Sequence, residues 1–125
     1  MSKSKCIYKN KKGAFGELIA RSFLEGKGWK FIRANYRFER SEIDLIFEIE
    51  NEKTMVFIEV KTRANKKYGE PEESINGLKQ SHIRKAAEGF VMMHEEYQKH
   101  NMRIDVVTVM FENESSSINH IENAF

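Results

Sequence analysis

The sequence contains very little cysteine and proline. Cys6 is the only cysteine, which excludes a disulfide framework and any zinc site built from several cysteines. Pro71 is the only proline, and it marks a predicted loop over Ala64–Ser74. No apolar run approaches the roughly 18–20 residues that a membrane-spanning helix needs, and the Lys-rich start Met1–Lys12 lacks the apolar stretch of a signal peptide. We therefore expect a cytoplasmic protein that does not contact a membrane.

The chain has enough apolar material for one hydrophobic core. It has 125 residues, of which 40% are hydrophobic and 11% aromatic, and a chain of this length buries about two-thirds of its unfolded surface. A disordered chain is therefore excluded, because such chains have few hydrophobic residues. We predict a flexible basic arm over residues 1–12 and a single domain over residues 13–125.

The charge is nearly balanced overall but unevenly distributed along the chain. Lys and Arg number 21 and Asp and Glu number 19, which gives a net charge of +2. Residues 1–40 carry a net charge of +8, residues 41–78 carry −4 and residues 79–125 carry −2. Basic surfaces attract polyanions such as nucleic acids, whereas clustered carboxylates attract divalent cations. A solvated Lys-rich tail beside an acidic hairpin remains an alternative interpretation.

Hydrophobic periodicity predicts two helices and a series of strands. A period of 3.6 residues indicates helices over Gly13–Lys27 and Gly77–His100, and a period of two indicates strands. The predicted strands are Trp29–Phe38, Glu42–Glu50, Thr54–Arg63 and Arg103–Phe111, with a last short strand at Ile118–Ile121. The order α-β-β-β-α-β predicts an α/β fold with one mixed sheet flanked by helices. The strands before and after the second helix are expected to run parallel through a right-handed crossover.

Two carboxylates are predicted to face each other across the second and third strands. If the hairpin is symmetric about Asn51–Glu52, its apolar residues fall on one face of the sheet. Those residues are Ile43, Leu45, Phe47 and Ile49 on one strand and Val60, Ile58 and Val56 on the other. The same register places Asp44 directly opposite Glu59 on the other face, with Cβ atoms roughly 4.5–5.5 Å apart. Lys61, two residues after Glu59, points to that face as well.

These residue types suit metal-assisted hydrolysis of a phosphodiester. Two ionised carboxylates at this spacing repel each other, and a divalent cation between them turns the repulsion into attraction. Oxygen ligands with open water positions favour Mg²⁺, with Mn²⁺ as an alternative. A neighbouring lysine can hold a phosphate oxygen or polarise the attacking water. The pattern also has an ordinary structural interpretation, because Glu59 and Lys61 at this spacing commonly form a surface ion pair.

Several ordered motifs together resemble a known family. They are Gly16–Ala20, Asn35–Arg37, Glu42–Ile46, Phe57–Arg63, Lys79–Gln80, Arg103–Val107 and Ile121–Phe125, which span the chain from Gly13 onward. This set resembles the YraN-like family of uncharacterised bacterial proteins, which belongs to the PD-(D/E)XK nuclease superfamily and is similar to archaeal Holliday-junction resolvases. The resemblance implies a restriction-endonuclease-like fold and a Mg²⁺-dependent endonuclease that hydrolyses DNA, including branched or single-stranded structures.

The resemblance also implies roles for particular residues. The implied catalytic residues are Asp44, Glu59, Lys61, Glu17 and Gln80, of which Asp44, Glu59 and Glu17 would hold the metal and Lys61 would position or activate the water. The chain departs from related patterns at two positions. Ile43 stands where restriction enzymes have proline, and Ser41 stands where the family mostly has glycine. Neither departure removes a metal ligand.

Basic and aromatic residues near these motifs are predicted to contact nucleic acid. They are Arg37, Arg40, Arg63, Lys79 and Tyr36, together with Lys66, Lys67 and Tyr68 of the predicted loop. For each arginine a surface ion pair is an equal alternative. Asp105 is expected to pair with Arg103 or to cap a turn.

Two functions from different classes therefore stay open. One is a metal-dependent nuclease; the other is a non-catalytic module that binds nucleic acid or a protein partner on a nuclease fold. A homodimer is also considered, because similar resolvases work as dimers.

Overall fold

The computed structural model describes residues 3–64 and 77–125, with side chains from residue 13 onward. The helices of this part of the chain are α1 (Lys3–Glu25) and α2 (Gly77–Met93). The strands are β1 (Lys30–Phe38), β2 (Ser41–Ile49), β3 (Thr54–Arg63), β4 (Asn101–Glu112) and β5 (Ser115–Ile121). This order confirms the predicted α-β-β-β-α-β core and its final strand. Neither helix contains a stretch that is long and apolar enough to cross a bilayer.

The five strands form one mixed sheet in the order β1-β2-β3-β4-β5. β3 and β4 are parallel, and every other neighbouring pair is antiparallel. The parallel pair is joined through α2, as the predicted crossover requires, because parallel strands need a long connection.

Each face of the sheet carries its own hydrophobic core. The α2 face buries Tyr36, Ile43, Ile46, Met55, Phe57, Ile83, Ala86, Ala87, Phe90 and Ile104. The α1 face buries Ala20, Leu24, Leu45, Phe47, Ile49, Val56, Ile58, Val107 and Val109. Because the central strands are apolar on both sides, a buried charged residue among them requires a specific compensating contact.

The helix boundaries differ from those predicted. α1 begins at Lys3 rather than Gly13, so the backbone of residues 3–12 is helical where the periodicity predicts an arm. Periodicity marks only the part of a helix that packs on a core, and no proline interrupts this segment. α2 ends at Met93 rather than His100, because His94 adopts an extended backbone conformation. Tyr97 nevertheless stacks on Phe90 at 6.0 Å, which explains why the apolar pattern continues past the helix end.

The last strand is longer than predicted. β5 begins at Ser115 and pairs with β4 along its whole length, whereas the apolar pattern indicates only Ile118–Ile121. It is an edge strand whose first three residues are exposed serines. Such a strand needs backbone pairing but no apolar face, so alternation cannot reveal its start.

A kink in β1 and β2 changes which face the neighbouring residues occupy. Asn35 has a positive φ of 53° and lies between the pairs Ala34↔Leu45 and Tyr36↔Ile43, while the register of β1 on β2 shifts earlier, between Phe31 and Arg33. Ile43 was predicted to share a face with Leu45, and this prediction is wrong: Ile43 packs on the α2 face and Leu45 on the α1 face. Asparagine tolerates the left-handed conformation better than most residues, so Asn35 can break the alternation here.

A glycine allows α1 to approach the end of β3 closely. A Cβ atom placed on Gly16 would overlap the Oγ1 atom of Thr62. Gly13, three residues earlier in the same helix, has open space around the equivalent position. The close contact at Gly16 therefore sets how near the next residue, Glu17, comes to the sheet.

We expect Gly16→Ala to destabilise the protein by about 1–2 kcal/mol, because the added methyl group forces α1 away from Thr62. Gly13→Ala is the matched control, and it should stabilise the protein by about 0.5–1 kcal/mol through helix propensity alone. Urea denaturation measures both. The double variant Gly16→Ala/Thr62→Ala should lose less than the sum of its single changes; strict additivity would contradict the contact.

Candidate active site

Two carboxylates converge where the β2–β3 ladder ends. The predicted register is confirmed over Leu45–Ile49 and Thr54–Ile58, and Asp44 and Glu59 each lie one position beyond the last pair, Leu45↔Ile58. At this point the backbone N–H of Val60 donates a hydrogen bond of 2.8 Å to Oδ2 of Asp44. The Asp44 side chain thus accepts a hydrogen bond from the backbone of the residue that follows Glu59. This bond holds the two acidic groups side by side.

The electrostatics of this pair are unfavourable when both groups are ionised. Burial, followed by the negative charge of Glu59, raises the pKa of Asp44 to about 8. The hydrogen bond from the Val60 N–H acts in the opposite direction and lowers the pKa. Glu59 itself is only 5% exposed. A pair of buried carboxylates with such repulsion is a site where a proton or a cation is strongly favoured.

A third carboxylate approaches from α1. Glu17 follows Gly16 in the helix and is half-buried. Burial raises the pKa of Glu17, and the charges of Glu42 and Glu59 raise it further. The structure therefore brings Glu17 into the electric field of the predicted site, although its sequence position on a helix gives only a weak signal for this.

Two lysines balance the buried glutamate. Lys61 Nζ lies 3.2 Å and Lys79 Nζ 3.4 Å from the same oxygen, Oε2 of Glu59. The Lys61 contact follows from the predicted strand pattern. The Lys79 contact does not, because Lys79 lies on α2, across the loop, and was assigned only a role in nucleic-acid contact. Gln80 lies next to it in the first turn of α2 and is partly buried.

The donor set suits a hard divalent cation with a partly open coordination sphere. Asp44 and Glu59 offer carboxylate oxygens, which Mg²⁺ and Mn²⁺ prefer, and Mg²⁺ usually keeps several waters beside one or two carboxylates. Among the described side chains, those of residues 13–64 and 77–125, no three of His, Cys, Asp or Glu are grouped closely enough to enclose a metal. Glu17 is therefore near the site but does not form a closed three-ligand cage with the other two.

The residues predicted to contact nucleic acid are distributed unevenly around the site. Arg37 and Arg40 are exposed near the β1–β2 turn, and Arg37 lies 3.9 Å from Glu42. Arg63 is half-buried and donates to the carbonyl oxygen of Thr62 at 3.1 Å. Tyr36 is buried, with its ring 5.1 Å from that of Phe90. Tyr36 is thus a core residue, and stacking on a base does not fit its position.

The predicted loop contacts cannot be placed. Lys66, Lys67 and Tyr68 lie outside the described residues, as does most of the predicted loop around Pro71. The remaining predicted contact is Lys79, which the structure places at Glu59.

A second buried acid, Asp105, lies on β4 opposite Ile58 and has the opposite electrostatic character. Asp105 accepts two hydrogen bonds of 2.9 Å from Arg103, one of 2.8 Å from Nε2 of His120 and one of 2.9 Å from the backbone N–H of Asn123. Burial acts to raise the pKa of Asp105, and the bonds from His120, Arg103 and Asn123 overcome it, so the pKa lies below its ordinary value. The expected pairing of Asp105 with Arg103 is confirmed. The hydrogen bonds from His120 on β5 and from Asn123 after it were not predicted.

Comparisons with known proteins place the chain among relatives of similar length. A model of the family described as "Uncharacterised protein family UPF0102" matches residues 16–109. A "UPF0102 protein" of Caldicellulosiruptor bescii is 44% identical over 115 residues, which cover 90% of this chain and 95% of the relative. A "UPF0102 protein" of Alkaliphilus oremlandii is 39% identical over 93% of this chain and 99% of the relative. A relative from Clostridium botulinum strain 657 is 40% identical over 90% of this chain and 92% of its own. The predicted YraN-like resemblance is confirmed by these matches.

We expect Asp44→Asn to remove a pH-dependent penalty on folding. In the unfolded chain Asp44 ionises above about pH 4, whereas in the folded metal-free protein it keeps its proton up to about pH 8. Stability should therefore fall as pH rises through this window in the wild type. Asparagine cannot titrate but offers Val60 an acceptor oxygen, so the variant should be more stable at pH 8.5 by at least ~1 kcal/mol.

Urea denaturation in EDTA at pH 4.5, 6.5 and 8.5 measures this difference. The gap between variant and wild type should grow with pH. A gap that is constant or shrinks would contradict the raised pKa of Asp44.

Asp105→Asn should have the opposite effect. It removes a buried carboxylate that Arg103 and His120 require as a partner, so the protein should lose about 3–5 kcal/mol of stability at pH 7. The contribution of Asp105 should be present at neutral pH and lost as pH falls through its lowered pKa. Glu122→Gln, which removes an exposed partner 3.8 Å from Arg103, should cost less than ~1 kcal/mol. Equal losses in both variants would contradict the role of Asp105.

Proposed function

The chain belongs to the uncharacterised protein family UPF0102, and we propose that it is a metal-dependent nuclease that hydrolyses phosphodiester bonds in DNA. One observation carries the proposal: the buried, mutually repelling carboxylates of Asp44 and Glu59 lie together with Lys61 3.2 Å from Glu59. Burying two like charges is destabilising, and such costs are typical of functional sites. The ammonium group beside them supplies a positive charge that can stabilise a phosphate.

Asp44 and Glu59 would hold Mg²⁺ or Mn²⁺. Bound there, the cation would lower the pKa of an attacking water and neutralise charge on the phosphate. Lys61 remains beside Glu59, where its ammonium group can orient the water or bind a non-bridging phosphate oxygen. The water oxygen would attack phosphorus as the water loses one proton to the solvent, the bond to the leaving oxygen would break, and the leaving oxygen would take up one proton from the solvent to become a hydroxyl group.

Nucleic acid would approach the side of the molecule where α1 and α2 meet the end of β3. The first forty residues carry a net charge of +8 and include α1, which comes closest to β3 at Gly16. α2 presents Lys79 and Gln80 from its first turn. Cationic groups at this place favour phosphate backbones in a manner that depends on salt rather than base sequence. The homodimer stays a prediction.

A second candidate function is a module that binds nucleic acid without cutting it. It is favoured by the two lysine contacts to Glu59, which already compensate the buried charge without a metal. Under this alternative Asp44 keeps its proton, and the basic residues of the first forty positions bind the nucleic acid.

A cleavage assay separates the two functions. Purified full-length protein is incubated with Mg²⁺ or Mn²⁺ and with linear duplex, single-stranded, flap and four-way DNA. We expect cleavage of at least one substrate, and a loss of more than ~100-fold in Asp44→Asn and Glu59→Gln, because each removes a charged metal ligand. Glu50→Gln, an exposed acid elsewhere on the β2–β3 hairpin that lies 3.9 Å from Lys30, is the control and should retain activity.

DNA binding by the same variants completes the test. Cleavage that persists in Asp44→Asn would point to a contaminating enzyme and would contradict the proposal. If no DNA is cut while wild type and Asp44→Asn bind DNA equally, the non-catalytic alternative is supported instead.

A further inference from the structure

Two ammonium groups converge on one carboxylate oxygen at the site. Oε2 of Glu59 lies 3.2 Å from Lys61 Nζ and 3.4 Å from Lys79 Nζ, and the glutamate side chain is only 6% exposed. One negative charge therefore contacts two positive charges. A divalent cation that binds Glu59 must share the same oxygen atoms with both lysines or displace one of them.

The two lysines are not equivalent in this competition. Lys61 lies on the same strand as Glu59 and its side chain is 17% exposed, whereas Lys79 reaches Glu59 from α2 and is 44% exposed. Water screens the charge of a more exposed ammonium group, so its ion pair with Glu59 is weaker and breaking that pair costs less. Lys79 is therefore the partner that an incoming cation displaces more easily.

The position of Lys79 in its helix makes it depend on Glu59. It is the third residue of α2, and the first turn of this helix contains no acidic residue. The amino end of a helix carries a partial positive charge, which disfavours a lysine there. Glu59 compensates this arrangement, and once its charge is taken up by a metal, the lysine is attracted to another anion.

We propose that Lys79 occupies part of the place of the divalent cation on Glu59 in the metal-free protein, and that cation binding releases its ammonium group to a phosphate of the bound nucleic acid. This inference rests on the proposed function, because it requires a cation site at Asp44 and Glu59. It assigns Lys79 two states: a counter-ion of Glu59, and a contact to phosphate when a cation is bound to Glu59. The exchange couples metal binding to the binding of the nucleic acid.

Metal binding without DNA tests the first state. Calorimetric titration of Mn²⁺ into the full-length protein should show that Lys79→Gln binds Mn²⁺ about three- to tenfold more tightly than wild type, because a competing cation is gone. Lys79→Arg keeps the charge and should bind like wild type. Lys85→Gln, on the same helix with its ammonium 3.1 Å from Glu39, is the control and should leave Mn²⁺ affinity unchanged.

A purely structural role for Lys79 predicts the opposite sign. Loss of a supporting contact to Glu59 would leave the ligand less well placed and weaken Mn²⁺ binding. Weaker or unchanged affinity in Lys79→Gln, with an unaltered thermal unfolding temperature, would therefore overturn the inference.

The salt dependence of DNA binding tests the second state. With Ca²⁺ present, and the duplex shown to be intact by gel afterwards, Lys79→Gln should have a log–log salt slope smaller than wild type by about 0.9, the value for one lost phosphate contact. Without a divalent cation the two slopes should agree. Slopes that differ equally in both conditions would contradict the release of Lys79.

These outcomes can be separated from those of the nuclease proposal. If the wild type binds Mn²⁺, Lys79→Gln binds it more tightly and no DNA is cut, the exchange stands and the catalytic function falls. If the wild type does not bind Mn²⁺, or if Asp44→Asn binds it as well as the wild type, the exchange and the nuclease proposal are both overturned.

Discussion

The burial of Asp44 and Glu59 side by side is the constraint on which the site depends. Two ionised carboxylates in a partly desolvated place repel each other strongly, so the fold must supply compensation. It does so with the Val60 N–H at 2.8 Å from Asp44 and with Lys61 and Lys79 on Glu59. Asp44 remains the less well-compensated of the two, as its pKa of about 8 indicates. The charges of the two acids are thus compensated by a proton on Asp44 and by two lysines on Glu59.

Asp105 shows how the same chain treats an acid that serves only stability. It is fully buried, and two hydrogen bonds from Arg103 and one each from His120 and Asn123 keep it ionised. Asp105 is fully buried and Asp44 only partly so, yet Asp105 has the lowered pKa, because the hydrogen-bond donors around the two aspartates differ. An acid that accepts several hydrogen bonds stabilises the contact between strands. An acid with few donors and a raised pKa is typical of a functional site. The contrast between the two acids is therefore a stronger argument for function at Asp44 than burial alone.

Much of the fold and part of the site follow from period-two and period-3.6 patterns. The register of the β2–β3 hairpin is determined by its apolar face, and with it the neighbourhood of Asp44 and Glu59 can be predicted. The kink at Asn35 was not predicted, although an asparagine inside a strand is a usable signal for a left-handed residue. Nor was it predicted that Tyr36 is buried, with its ring in the core against Phe90.

Contacts between elements that are distant in sequence could not be predicted in this way. Lys79 reaches Glu59 only because α2 returns across the sheet, and no local pattern encodes that distance. Glu17 reaches the site only because Gly16 lets α1 lie against Thr62. A side chain at position 16 would push the helix outward and carry Glu17 with it, so packing and electrostatics are linked at this point. The glycine is therefore as much a part of the site as the acids, since it determines the distance over which their charges interact.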